Sequence, residues 1–186
     1  MKLKKGTAIF TIGHSTRSLD ELIALVREAG VDLLVDVRTV PRSRFNPQFN
    51  SDALPAPLGE AGIGYRHLAA LGGLRHRPKG ALPSRNTAWR SEPFRNYADY
   101  ALTPAFRAGL DELLALSRDH TPAIMCAEAV WWRCHRRIVT DYLLTERVEV
   151  RHIMDHGKID PASLTLAAQP QPDGTILYPA AQGELL

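Results

Sequence analysis

Two short apolar runs, Thr7 to Ile12 and Val31 to Val37, bracket a stretch whose apolar residues recur at helical spacing, and that order restricts the fold more than any other feature. The first run is rich in β-formers and stops at Gly13-His14-Ser15, which marks a strand and a turn. Ser18-Leu19-Asp20-Glu21 then has the form of a capping box, with the Ser18 hydroxyl available to the Glu21 amide and the Glu21 carboxylate reaching back. Leu19, Leu22, Ile23, Val26 and Ala29 lie on one helical face, and Gly30 is a natural stop. The second strand ends at Asp36-Val37-Arg38. Strand, helix and strand at this length form a βαβ unit, which is parallel and almost always right-handed.

The alternation continues. Ile63 to Leu68 reads as a third strand, with Tyr65 and His67 on one face. Glu92-Pro93 opens a helix to about Leu102, and Thr103-Pro104 caps another whose face is Phe106, Leu110, Leu113, Leu114 and Ser117. Thr121 to Cys126 is a central strand, and Trp131 to Glu146 the helix after it, its buried face beginning at His135 and running through Ile138, Val139, Tyr142 and Leu143. Val148 to His152 closes the sheet. The expected fold is an open, mostly parallel sheet with helices on both faces, a three-layer α/β/α arrangement of Rossmann-like type. Long basic loops follow the second and third strands, broken by prolines and glycines. Residues 1–155 are expected to form a single α/β domain, and 156–186 a C-terminal extension with a short hairpin at Asp173-Gly174.

Composition adds limits. At 186 residues, 45% hydrophobic and 23% charged, the chain is an ordinary soluble globular protein. No apolar run reaches the roughly 18 to 20 residues of a membrane span, and the N-terminus lacks a signal-peptide core, so the expectation is cytoplasmic, with no membrane partner. Two cysteines in that compartment are read as free thiols. The net charge of +3 is unevenly spread: from Arg38 to Arg95, ten arginines and lysines face three acids. A basic middle on a slightly acidic body points to an anionic partner.

Three polar clusters fall just after apolar runs: Gly13-His14-Ser15, Asp36 with Arg38, and Cys126 with Glu128. Parallel strands would bring all three to the carboxyl edge of the sheet, where open α/β folds keep their sites. Cys126 is either a reactive thiol, lowered by the following helix start and Arg133, or a small buried hydrophobe. The stretch between Cys126 and Arg133 is longer than the phosphate-cradling loop of cysteine phosphatases and contains no glycine, which argues against such a cradle and against rhodanese-like sulfur transfer. Cys134 and His135, adjacent on the expected helix, diverge by about 100° and so are not expected to share a metal ion. His135 is expected to hydrogen-bond Asp36 or Glu128. Arg133, Arg136 and Arg137 stand at a helix start, where cations are disfavoured, and an anion shared with Arg38 or Arg44 would explain them, as would ion pairs with Glu128 or Asp141.

Thr11-Ile-Gly-His-Ser15, Asp36-Val-Arg38 with Pro41 and Ser43-Arg44, Leu71-Gly-Gly73, and Cys126-Ala-Glu128 with Cys134-His-Arg136 together resemble the DUF488 family, a domain of unknown function, from about Ile9 to His152. The resemblance implies an α/β sandwich. It carries no assigned catalytic role, but the motif residues correspond to His14, Ser15, Asp36, Arg38, Cys126, Glu128, Cys134, His135 and Arg136.

The resulting expectation is an enzyme acting on a phosphate-bearing small molecule or nucleotide. Cys126, Glu128, Asp36 and His14 would be its reacting groups. Ser15, Arg38, Arg44, Arg133 and Arg136 would bind the anion, and Cys134 and His135 would be structural neighbours. No cofactor and no metal are expected. The alternative is a nucleic-acid binding module, in which the basic loops of 38–95 grip phosphates while Phe45, Tyr65 and Trp89 stack on bases.

Overall fold

The computed structural model describes residues 8–181. Thr7 of the expected first strand, and the N-terminal residues read for a signal peptide, lie outside the described residues. β1 (Ile9–Gly13), β2 (Leu33–Asp36), β3 (Gly64–His67), β4 (Pro122–Cys126), β5 (Val150–Asp155) and β6 (Lys158–Pro161) make one sheet in the order β3-β2-β4-β1-β5-β6. The first five strands are parallel and β6 runs antiparallel at the edge. The expected class, an open and mostly parallel sheet between two helical layers, is borne out.

Both faces of the sheet are covered because the central strands are apolar at nearly every position, so that both alternating sets of side chains are buried. Phe10, Ile12, Leu34, Ala123 and Met125 pack against α1 (Leu19–Glu28) and α2 (Pro55–Glu60), through Leu22, Leu25, Val26 and Leu58. Ile9, Leu33, Val35 and Ile124 face the other layer, α3 (Glu92–Tyr100), α4 (Pro104–Leu116) and α5 (Arg136–Thr145). Tyr97, Phe106, Leu110, Ile138 and Tyr142 fill that side.

Helix boundaries follow local chemistry where it is strong. Ser18 Oγ accepts from the Glu21 amide at 3.1 Å, as expected, but the Glu21 carboxylate pairs with Arg17 at 3.2 Å instead of closing the box. Gly30, just past the end of α1, has φ +73°, a left-handed stop that glycine adopts without strain. Thr103 Oγ1 accepts from the Phe106 amide to start α4.

Two expectations need correction. The first expected loop is partly helical, with a 3-10 turn at Pro47–Phe49 and α2 behind it; Leu54 and Leu58 bury there, and tertiary packing overrides the prolines. The helix expected from Trp131 instead begins at Arg136: Trp131–Arg133 is a 3-10 turn, and Cys134 is extended, at φ −128° and ψ 147°. Edge strand β6 carries no apolar alternation and was not legible in the sequence.

Beyond β5 the chain is tied into the body. A two-stranded ribbon pairs Gln169–Pro170 with Ile176–Leu177, and Ile176 and Tyr178 enter the core. Tyr178 donates its hydroxyl to Asp141 at 2.9 Å, and its backbone bonds to Asn86 and Ala88. No helix among the described residues is long and apolar enough to cross a membrane.

Candidate functional site

The chain leaves β1 toward β2 on one side of the sheet and leaves β4 toward β5 on the other, so the carboxyl ends of these neighbouring strands flank a topological switch point. Two hydrogen bonds prolong their ladder into the loops, from His14 N to Cys126 O at 2.9 Å and from Ser15 N to Ala127 O at 3.0 Å. Gly13 makes that approach feasible, since a Cβ there would lie 1.8 Å from Glu128 O. Ser15, at φ 48°, holds a left-handed backbone that is costly for a non-glycine residue and places it on the rim.

Above these loops lies a cavity of about 660 Å³. Of the residues expected at a site, His14, Ser15, Arg38, Cys126, Glu128, Arg133, Cys134 and His135 line it. Asp36, Arg44 and Arg136 do not. Asp36 is fully buried and spends its carboxylate on Arg38 (2.9 and 2.6 Å), on the Arg38 amide and on the Tyr65 hydroxyl at 2.7 Å. It is therefore a counter-ion and not a reacting acid. Arg44 is exposed and stands outside the lining. Arg136 is buried, donating to Cys134 Sγ at 3.2 Å and to Glu128 O at 2.6 Å, so it braces the loop from behind.

His14 donates from Nδ1 to Ser15 O at 2.9 Å, which turns Nε2 toward Arg38 at 3.4 Å, and its ring stacks on Phe49. Burial, with the Arg38 charge adding to it, lowers the His14 pKa below the usual imidazole value, so the ring is neutral at pH 7. Arg38 stays charged: burial works against the charge, but the Asp36 carboxylate outweighs it and raises the pKa.

At the floor, His135 Nδ1 stands 3.6 Å from Cys134 Sγ and 3.9 Å from Cys126 Sγ. Its Nε2 lies 3.0 Å from Val37 O, not from Asp36 or Glu128 as expected. A carbonyl only accepts, so Nε2 carries the proton and the Nδ1 lone pair faces the thiols. Burial would push both thiols up. For Cys134, the hydrogen bond from Cys126 and the Arg136 charge outweigh burial and hold it well below the ordinary value. Cys126, as the donor to Cys134, is pushed well above it, and burial adds to that rise. The ground for excluding a shared ion, helical divergence of Cys134 and His135, does not hold, because Cys134 is extended and both side chains turn to one point.

Sequence reasoning missed Arg42, Thr39, Gly73 and Phe94 in the lining. Arg42 belonged to the same Arg-Ser-Arg text as Arg44, and nothing local says which one turns inward. Gly73 was present in the Leu-Gly-Gly motif, and its reason is now visible: a Cβ there would sit 2.3 Å from His135 Nδ1, over the ring.

The fold and this cavity define an open α/β protein with a sulfur- and imidazole-floored, arginine-edged pocket at the switch point of its sheet. Residues 18–143, well over half of the chain, match the family described as Domain of unknown function DUF488, and the chain belongs to that family. Comparison with curated proteins and with solved structures returned no match.

Proposed function

We propose that the protein is an enzyme whose cavity binds a phosphate-bearing small molecule or nucleotide, with the sulfur and imidazole cluster at its floor as the reacting end. One observation carries this reading: Arg133 is exposed, lines the same cavity as Cys126 and His135, and has no side-chain partner among the described residues. Arg42, also in the lining, has only a 3.6 Å ion pair with Asp52 in which both side chains are largely exposed, a contact worth little and easily exchanged for a ligand. Arg38 and Arg136, by contrast, already have their hydrogen bonds committed to the protein. Anion capture thus falls to Arg42 and Arg133, while Glu128, exposed on the rim, is placed to exchange a proton with a bound substrate.

Thermal shift with nucleotides and phosphate monoesters tests the reading. The wild type is expected to be stabilised by at least one of these, and the double variant Arg42→Ala, Arg133→Ala to lose that response while keeping its own melting temperature. A wild type that responds to none of them overturns it.

The nucleic-acid alternative retains one supporting observation, Phe45, 94% exposed beside Arg44. Its other aromatics are engaged elsewhere: Trp89 is buried against Phe94 and Tyr178, and Tyr65 is bonded to Asp36. Several of the basic residues are held too, Arg66 by Glu112, and Arg75 by carbonyls and the Tyr100 ring. Salt-dependent binding of a single strand that survives the double arginine variant and is lost in Phe45→Ala would favour it over the cavity.

A further inference from the structure

We infer that Cys126, Cys134 and His135 form a binding site for one zinc-type transition-metal ion, with the fourth coordination position open to the cavity. The three ligand atoms lie within 4.8 Å of one another, and the two sulfur-to-nitrogen distances are 3.6 and 3.9 Å. An ion with metal–sulfur bonds of about 2.3 Å and metal–nitrogen bonds of about 2.0 Å at tetrahedral angles holds sulfur and nitrogen roughly 3.5 Å apart. The two sulfur-to-nitrogen distances therefore match two edges of such a tetrahedron, and the sulfur-to-sulfur edge, within 4.8 Å here, has to close to about 3.8 Å to complete it.

The surroundings are those of a ligand set and not only of a packed core. His135 has the tautomer that coordination requires: Val37 O takes the Nε2 proton, and Nδ1 is directed to both sulfurs. The ring has little freedom to turn, because Gly73 lies against one face and Tyr97 meets it edge-on with centroids 4.9 Å apart. Cys134 Sγ receives Arg136 Nε at 3.2 Å, the kind of outer hydrogen bond that supports a metal thiolate. Arg136 is itself fixed by Glu128 O. Two sulfurs and an imidazole select a borderline ion such as zinc over magnesium or calcium, which take oxygen ligands.

Each sulfur holds the ion as a thiolate, any proton it carries passing to solvent as the ion binds, and His135, already bare at Nδ1, gives up none. Three protein ligands with an open fourth position is the pattern of catalytic and not structural zinc sites. All three ligands line the cavity, so the open position would take water or an anionic oxygen of the substrate held by Arg42 and Arg133. The ion site stands on its own geometry; only this catalytic consequence rests on the function proposed above.

The test is titration of the reduced full-length protein with cobalt(II) alone and with zinc(II) alone, without phosphate. One ion per chain is expected, with a thiolate-to-cobalt charge-transfer band and a tetrahedral visible spectrum that zinc abolishes and magnesium does not. Cys126→Ser and Cys134→Ser should each weaken zinc binding by more than the roughly ten- to hundredfold that loss of an outer-shell partner costs. Gly73→Ala, which displaces the imidazole and leaves both sulfurs in place, should weaken it as well. A wild type without the charge-transfer band overturns the inference whatever the variants do, as does a band unchanged in both serine variants. Metal binding without any phosphate-ligand response leaves the site standing and removes the proposed function; a phosphate response without metal binding does the reverse.

Discussion

Asp36 shows how a residue that reads as chemistry can be architecture. Its carboxylate, at the end of β2, accepts from the Arg38 side chain twice and from Tyr65, with none of its surface exposed. The Arg38 guanidinium goes on to Phe49 O and His14, so one buried pair ties the end of β2 to Phe49 and to the His14 wall of the cavity. Removing one partner of such a pair strands the other charge. Asp36→Ala is expected to cost about 3–5 kcal/mol in urea unfolding. A loss under 1 kcal/mol would show that Arg38 finds another partner. The sequence placed Asp36 and Arg38 correctly at a strand end, but i and i+2 spacing does not say whether two charges face a ligand or each other.

At the scale of elements, the strand-end loops depend on backbone contact. His14 and Ser15 amides bond to Cys126 and Ala127 carbonyls, and Gly13 admits the Glu128 backbone where no Cβ has room. Gly13→Ala must push the β4 loop away, and overpacking of this kind costs about 1–3 kcal/mol. Melting measured beside accessibility of Cys126 to a thiol reagent separates the outcomes: lower stability with faster labelling is expected, and unchanged labelling would place the strain elsewhere. The same loop explains the misplaced start of α5. Trp131 to Glu146 contains no glycine or proline and reads as continuous helix, yet Trp131 stacks on His152 at 4.4 Å and Arg136 holds Glu128 O. Those contacts tie down the chain on both sides of Cys134 and leave it extended.

For the whole molecule, stability links to pH through the same stack. His152 lies between Thr11, whose hydroxyl is 2.8 Å from Nδ1, and Trp131, and its Nε2 has no partner. Burial, helped by the Arg136 charge, lowers its pKa from 6.5 to about 4. Between those values the unfolded chain binds the proton more readily than the folded one. Stability is therefore full above pH 6.5 and declines as pH falls toward 4, by on the order of 3 kcal/mol for this group. Urea midpoints across pH 7.5 to 4.5 should fall for the wild type and much less for His152→Gln; equal slopes would assign the effect to other groups.

The sequence by itself determined the layers, most of the strands, the caps of α1 and α4 and the gathering of the polar strand ends at one edge, because period, capping and parallel order are local or nearly local properties of the chain. Only the tertiary structure decided which charges cancel, that Arg42 and not Arg44 faces the cavity, and that Cys134 is extended. Those outcomes depend on what packs against each residue from distant segments: Tyr65 and Phe49 around the Asp36–Arg38 pair, Gly73 over His135, His152 against Trp131. No spacing along a single strand or helix encodes such neighbours.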